Sequence, residues 1–168
     1  KGYTHKPDDL HWITGSINCL QSFSSKGFKL VVITNQSGVA RGYYNEKEIK
    51  IFHKHMNEDL FQKSNIFIDK FYYCPHFIDG KVFKYIKKCN CRKPGNKLFK
   101  RAIIELLIDP INSIVIGDNL NDIIPAFESG VCKGYMLNNN SDLGTIRNAY
   151  PKKKLIIVSN WDEILDNN

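Results

Sequence analysis

Short runs of β-branched and aliphatic residues alternate along the chain with segments whose apolar positions recur every three or four residues. Residues 16–26 carry Ile17, Leu20 and Phe23 on one side and stop at Gly27, which predicts a helix. Lys29-Leu-Val-Val-Ile-Thr34 follows as an unbroken apolar run, the pattern of a strand buried on both faces of a parallel sheet. After the loop Asn35–Gly42, Asn45 with Glu48 forms a capping-box start for a helix reaching Ser64. Ile66–Tyr73 predicts a strand, residues 96–107 a helix, and Ser113–Gly117 a further apolar strand. Asp118–Ser129 predicts a short helix closed by Gly130, and Val131–Leu137 another strand. Asn138–Ser141 reads as a turn, Leu155–Ser159 as a last strand, and Asn160 as the cap of a terminal helix holding Trp161 and Ile164. Helices between parallel strands predict a doubly wound, mostly parallel Rossmann-like α/β sheet. Ligands of such sheets sit beyond the carboxyl ends of the strands, here Thr34 and its loop, Asp118, and the loop carrying Arg92 and Lys93.

Length and composition narrow this picture. The 168 residues suit one domain over 1–168, and 42% hydrophobic with 24% charged residues excludes wholesale disorder. No apolar run approaches the ~20 residues of a membrane span, and no secretory leader pattern opens the chain, so no membrane partner and a cytoplasmic setting are expected. The net charge of +7 comes mostly from scattered Lys, which reads as a solvated surface. Five Cys are present, and Cys74-Pro-His76 with Cys89-Asn-Cys91 form the spacing C-x-H-x12-C-x-C. Two such donor pairs closed by a loop can complete a tetrahedron of thiolate and imidazole, so a structural Zn²⁺ over 74–91 is expected. Cys19 and Cys132 are expected to be small core residues, and His53 and His55 surface residues rather than ligands.

The strand ends supply a second chemistry. Thr34-Asn35-Gln36-Ser37-Gly38 offers a hydroxyl, amides and exposed backbone N–H groups suited to a phosphate. Arg92-Lys93 place two cations before a helix start, where anions are already favoured. Gly117-Asp118-Asn119-Leu-Asn-Asp122 ends a buried strand with hard oxygen donors suited to Mg²⁺. Each signal alone is weak; three on one sheet point to phosphate chemistry.

The strand-end Thr34, Lys93 near a helix start and Gly117-Asp118-x-x-x-Asp122 resemble motifs two, three and four of the haloacid dehalogenase superfamily. Thr34-Asn-Gln-Ser-Gly-Val-Ala-Arg-Gly42, Tyr72-Tyr-Cys-Pro-His76 and Cys89-Asn-Cys-Arg-Lys-Pro94 resemble its histidinol-phosphatase-like branch. The resemblance implies a Mg²⁺-dependent, zinc-stabilised phosphomonoesterase without a large cap, and a monomer. The implied substrate is a small phosphorylated sugar, D-glycero-D-manno-heptose 1,7-bisphosphate, losing its 7-phosphate on the way to ADP- or GDP-heptose. By resemblance, Thr34, Lys93 and Asp118 are catalytic, and Asp118, Asn119 and Asp122 hold Mg²⁺. Gly2, Tyr3, Thr34, Asn35, Gln36, Ser37, Arg92, Lys93 and Asn119 bind substrate, and Cys74, His76, Cys89 and Cys91 bind Zn²⁺.

Departures from the branch are specific. Asn119 stands where Lys is common, Phe77 replaces a second His after Cys-Pro-His, and Lys93-Pro-Gly replaces Lys-Pro-x-Pro-Gly. No apolar strand here ends in the superfamily's Asp-x-Asp, whose first Asp is the nucleophile and second the general acid and base. That strand precedes a Gly-Tyr segment like Gly2-Tyr3, so it is expected upstream of Lys1, within about 20 residues. Three alternatives stay open: a histidinol-phosphate phosphatase, a nucleic-acid 3′-phosphatase, and a catalytically dead zinc-stabilised sugar-phosphate module. The zinc ligands, and the lack of an Arg-rich or aromatic stacking run, argue against a nucleic-acid partner.

Overall fold

The computed structural model describes residues 3–137 and 144–167. Gly2 and the turn expected at 138–141 lie outside the described residues. Among the described residues, five parallel strands and seven α-helices follow one another. They are α1 (Ser16–Ser25), β1 (Val31–Asn35), α2 (Gly38–Arg41), α3 (Glu46–Ser64) and β2 (Lys70–Cys74), then α4 (Lys97–Leu106) and β3 (Ile114–Gly117). α5 (Leu120–Glu128), β4 (Lys133–Leu137), α6 (Gly144–Ala149), β5 (Lys154–Val158) and α7 (Asp162–Asp166) complete the order. Among the described residues no helix is long and apolar enough to cross a membrane.

The parallel α/β architecture matches the sequence reading, and among the described residues the strands form two parallel sheets. β1 pairs with β2 from Val31↔Lys70 to Asn35↔Cys74. β4 lies between β3 and β5, paired from Ile114↔Lys133 and from Lys133↔Lys154. Helices cover both faces of each sheet. On β3–β5, α5 packs Ile123, Ala126 and Phe127 against Val115, Met136 and Leu155. The alternate side chains Tyr135, Leu137 and Val158 meet Cys19 and Phe23 of α1 and Ile164 of α7, as the two-residue period of a strand requires. On the smaller sheet, Tyr72 and Cys74 pack on Leu98 and Ala102 of α4.

β1 and β3 face each other without backbone pairing. Leu30 O accepts from Asp69 N, and Gln36 N donates to Cys74 O. Even-numbered positions of this stretch therefore turn their peptide groups toward β2, and Val31, Ile33 and Asn35 turn theirs toward β3. Val31, Ile33, Ile114 and Ile116 line both of two cavities, of about 470 and 420 Å³, that open along this division.

Local chemistry explains the shifted boundaries. The strand expected from Ile66 begins at Lys70, because the Asn57 amide brackets Ile68, donating to its carbonyl at 3.0 Å and accepting from its N–H at 2.8 Å. The helix expected from Asp118 begins at Leu120, capped by Asn119, whose Oδ1 accepts from Asn121 N at 2.9 Å. His53 is not a surface residue. It is buried on α3 and stacked on Phe71 at 4.3 Å, and burial pushes its imidazole down to about 4. Cys19 is core as expected, whereas Cys132 is only half-buried.

Candidate metal cluster and phosphate-binding end of the sheet

The strand β2 ends in Cys74, which is fully buried, and the chain then turns out through His76. Cys89 and Cys91 return to the same place. The four donor atoms lie within 4.8 Å of one another, the one such group of three or more His, Cys, Asp or Glu among the described residues. Cys91 Sγ sits 3.1 Å from Cys89 Sγ, 3.2 Å from Cys74 Sγ and 3.1 Å from His76 Nδ1. Cys74 Sγ is 3.6 Å from both Cys89 Sγ and His76 Nδ1. A tetrahedron with ~2.3 Å metal–sulfur bonds has edges of about 3.8 Å, so this donor set fits a zinc ion after a small expansion. Burial raises the Cys74 thiol well above its usual range and lowers His76. Against the effect of burial, hydrogen bonds led by that from Cys91 hold Cys89 below the usual thiol range, and a bound cation would stabilise the thiolates.

The loop between the donor pairs is anchored on α2, which follows the Thr34 loop. Lys81 N and Val82 N both donate to Ala40 O of α2, at 2.6 and 2.9 Å. The Tyr85 and Tyr73 hydroxyls each donate to Glu46 at 2.6 Å, and these bonds hold the Glu46 carboxyl below the usual range. Lys81, Lys84, Lys87 and Lys88 are all exposed.

At the carboxyl end of β1, three chain segments converge. Asn35 and Lys93 clasp each other: Asn35 Nδ2 donates to Lys93 O at 3.2 Å, and Lys93 N donates to Asn35 Oδ1 at 3.0 Å. The Lys93 ammonium donates to Ile33 O at 2.7 Å and pairs with Asp122 Oδ1 at 2.5 Å. It therefore joins the two sheets across their division, with both side chains largely buried. Asp122 Oδ2 accepts from Asn119 N at 3.2 Å, completing the cap of α5. Gly117 has no Cβ because one would stand 2.4 Å from that of Asp122. Asp118 and Asn119 are exposed beside this pair. The hard oxygens of Asp118 and Asp122 are of the kind Mg²⁺ takes, and Asp122 is held by Lys93 and the helix cap.

Thr34 is oriented by a relay that the sequence reading missed. Tyr44 OH donates to Gln36 Oε1 at 2.6 Å, and Gln36 Nε2 donates to Thr34 Oγ1 at 3.3 Å. Tyr44 lies over Gly38, where a Cβ would come within 2.2 Å of its ring. Burial pushes its phenol up to about 12, so it stays a donor. The signal in the sequence was Gly38 inside the Thr-Asn-Gln-Ser-Gly turn, but nothing local tied it to Tyr44. Ser37 is buried, and Tyr3 packs on Tyr43 with ring centroids 4.9 Å apart. Arg41 and Arg92 both approach the Phe77 ring, with guanidinium carbons 4.1 and 5.0 Å from its centroid.

Comparison with known proteins places this arrangement. The polynucleotide kinase 3 phosphatase family model matches residues 1–154. A D-glycero-beta-D-manno-heptose-1,7-bisphosphate 7-phosphatase from Haemophilus ducreyi is 41% identical over 130 residues, covering 77% of this chain and 71% of that protein. The protein of the same name from Haemophilus influenzae is 40% identical over 122 residues, 73% of this chain and 65% of its own length. Among solved structures, a D,D-heptose 1,7-bisphosphate phosphatase from B. bronchiseptica, complexed with magnesium and phosphate, superposes with a TM-score of 0.76 at 21% identity. That match covers 98% of this chain and 89% of the other, and it carries the fold. The chain therefore belongs to the polynucleotide kinase 3 phosphatase family, among the haloacid-dehalogenase-like phosphatases.

Proposed function

We propose that this chain forms the phosphate-gripping body of a phosphomonoesterase that removes the 7-phosphate of D-glycero-D-manno-heptose 1,7-bisphosphate, working as a cytoplasmic monomer with residues 1–168 in one domain. The observation that carries the reading is Lys93, whose ammonium stands between the end of β1 and Asp122, a few atoms from Thr34. There it can neutralise charge spread over a phosphoryl group while Thr34 Oγ1 and the N–H groups after it fix the group's orientation. Asp118, Asn119 and Asp122 are the residues that would hold Mg²⁺. A bound Mg²⁺ would polarise the phosphoryl oxygens and shield their charge. Cys74, His76, Cys89 and Cys91 would hold Zn²⁺ as a closed structural site. Tyr3 and Arg92 border the grip and are assigned to substrate.

The attacking carboxylate is assigned to residues preceding Lys1, carried on a strand that would lie between β1 and β3. Support comes from the peptide groups of Val31, Ile33 and Asn35 turned toward β3, and from the buried Trp161 indole N–H, which has no acceptor among the described residues and borders the same division. Such a strand would compete with Lys93 for Ile33 O and release the ammonium toward substrate.

The test is phosphate release from the heptose bisphosphate by protein carrying the preceding segment, with histidinol phosphate and a 3′-phosphorylated oligonucleotide as competitors. Preference for the heptose bisphosphate supports the reading. Faster turnover of the oligonucleotide, with strong salt dependence, would replace it with the nucleic-acid one.

A further inference from the structure

We propose that the tip of the loop between the two donor pairs is a docking surface for an anionic lipid bilayer. The inference is independent of the phosphatase reading above. Phe83 is 92% exposed and Ile78 62%, with Ile86 exposed beside them. Phe83–Tyr85 forms a single 3₁₀ turn, and Ile86 N donates to Phe83 O at 3.1 Å. Positions three apart in such a turn eclipse, so Phe83 and Ile86 share one side. Phe77 N donates to Tyr85 O at 3.2 Å, which brings the Ile78 backbone alongside. The tip is not held out by slack chain. Lys81 N and Val82 N are fixed on Ala40 O, and the Tyr85 hydroxyl on Glu46. Gly80 presses so close on α2 that a Cβ there would stand 2.6 Å from Ala40 O. A slack loop could fold its phenyl ring onto the protein, whereas this one presents it to solvent on a fixed backbone. An exposed apolar group rimmed by polar ones marks a contact surface.

Charge identifies the partner. Residues 77–88 hold four lysines, Lys81, Lys84, Lys87 and Lys88, against one acid, Asp79. All four are exposed, and none forms an ion pair among the described residues. Lysines around projecting apolar side chains match a layer of anionic headgroups above hydrocarbon. Their stems lie along the apolar part and their ammonium groups reach the phosphates. A nucleic-acid strand is a poorer match, because isoleucines offer no flat face to a base and the tip carries no arginine. Another exposed aliphatic patch, Ile104, Leu107 and Ile111, has no such complement. Its stretch carries charges of both signs, with Arg101 paired to Glu105 at 2.6 Å and Asp109 close in sequence. Adsorption to a surface needs no spanning segment, and the expectation of no membrane partner rested on the lack of an apolar run.

The experiment measures co-sedimentation of protein carrying the preceding segment with two kinds of vesicle, phosphatidylcholine alone and equal parts phosphatidylcholine and phosphatidylglycerol. It compares the wild type, Phe83→Ser, and the double variant Lys84→Glu, Lys87→Glu. The wild type should bind the anionic vesicles at least about tenfold more tightly than the neutral ones, and rising salt should weaken that binding. Phe83→Ser should weaken it about tenfold and leave the salt dependence in place. The double variant should lose more, because each lysine near an anionic surface contributes about fivefold. Zinc content and melting temperature check that both variants are folded, and exposed positions on a loop tip leave the core unchanged. Equal binding to the two kinds of vesicle, binding to neither, or binding that both variants leave unchanged would overturn the proposal. A single-stranded oligonucleotide that strips the protein from the anionic vesicles, and whose own binding is lost in Phe83→Ser, would assign the surface to nucleic acid instead.

Discussion

The candidate metal cluster and the proposed phosphate grip at the end of β1 share a hydrogen bond, Gln36 N to Cys74 O at 2.8 Å, yet they are assembled on opposite plans. The cluster is made of two local pairs, Cys74 with His76 and Cys89 with Cys91, so a single loop closure brings all four donors within 4.8 Å. The phosphate end draws Thr34, Lys93 and Asp122 from three separate strand-to-helix junctions, and its geometry depends on how two sheets stand relative to each other. The first kind of site is held by its ion and resists disturbance elsewhere. The second kind changes with every contact across the sheet division. Variants that separate the two therefore measure how far one site depends on the other.

The largest effect is expected from Cys89→Ser or from strong chelation. Losing a structural ion should cost on the order of 4 kcal/mol or more and release the loop 74–91, read as a fall in melting temperature together with lost zinc. If stability were unchanged, the cluster would not be a structural metal site. Next comes Lys93→Ala, which should cut turnover at least about a hundredfold while zinc content stays the same. Retained turnover would break the assignment of the phosphate grip. Gly38→Ala should be smaller, about 1–3 kcal/mol, because the new methyl displaces the Tyr44 ring and with it the hold on Gln36 and Thr34. Tyr44→Phe keeps the ring and loses only the donor, at about 1 kcal/mol, so the pair separates packing from orientation. At neutral pH, where the imidazole is uncharged in both states, the smallest effect is that of His53, and it emerges only as pH falls. His53 is neutral when folded down to about 4 and has an ordinary value of 6.5 when unfolded. The unfolded chain therefore binds more protons between those values, and stability should decline as pH falls from 6.5 toward 4. His53→Phe should flatten that limb in urea titrations at several pH values, leaving the neutral-pH zinc content untouched.

What the sequence disclosed follows the same division. Strands and long helices were legible because burial on a sheet imposes a periodicity that survives in the residues, as in Lys29–Thr34 and Glu46–Ser64. The clustering of Cys74, His76, Cys89 and Cys91 was legible because their pairing is local. α2 was not, since four residues are too short to display a helical period. His53 was misread because one polar residue on the buried side of α3 looks like part of the solvated face. Its partner Phe71 is distant in sequence. The relay Tyr44–Gln36–Thr34, the Lys93–Asp122 pair and the meeting of Arg41 with Arg92 at Phe77 all arise from tertiary proximity. No spacing encodes them. The branch resemblance located Thr34, Lys93 and Arg92 by position, but it gave no account of what orients them.

The unpaired sides of β1 and β3 have a consequence for how the chain behaves among other polypeptides. Val31-Val-Ile-Thr34 and Ile114-Val-Ile116 contain no lysine, proline or other charge of the kind that ordinarily blunts a free strand edge. Each presents a row of backbone donors and acceptors beside β-branched side chains, which is a template for any extended segment of alternating aliphatic residues. A chain in which that division stayed unfilled would be open to foreign strands. Its solution behaviour would then be governed by strand exchange and aggregation, which a short aliphatic peptide added in trans should suppress.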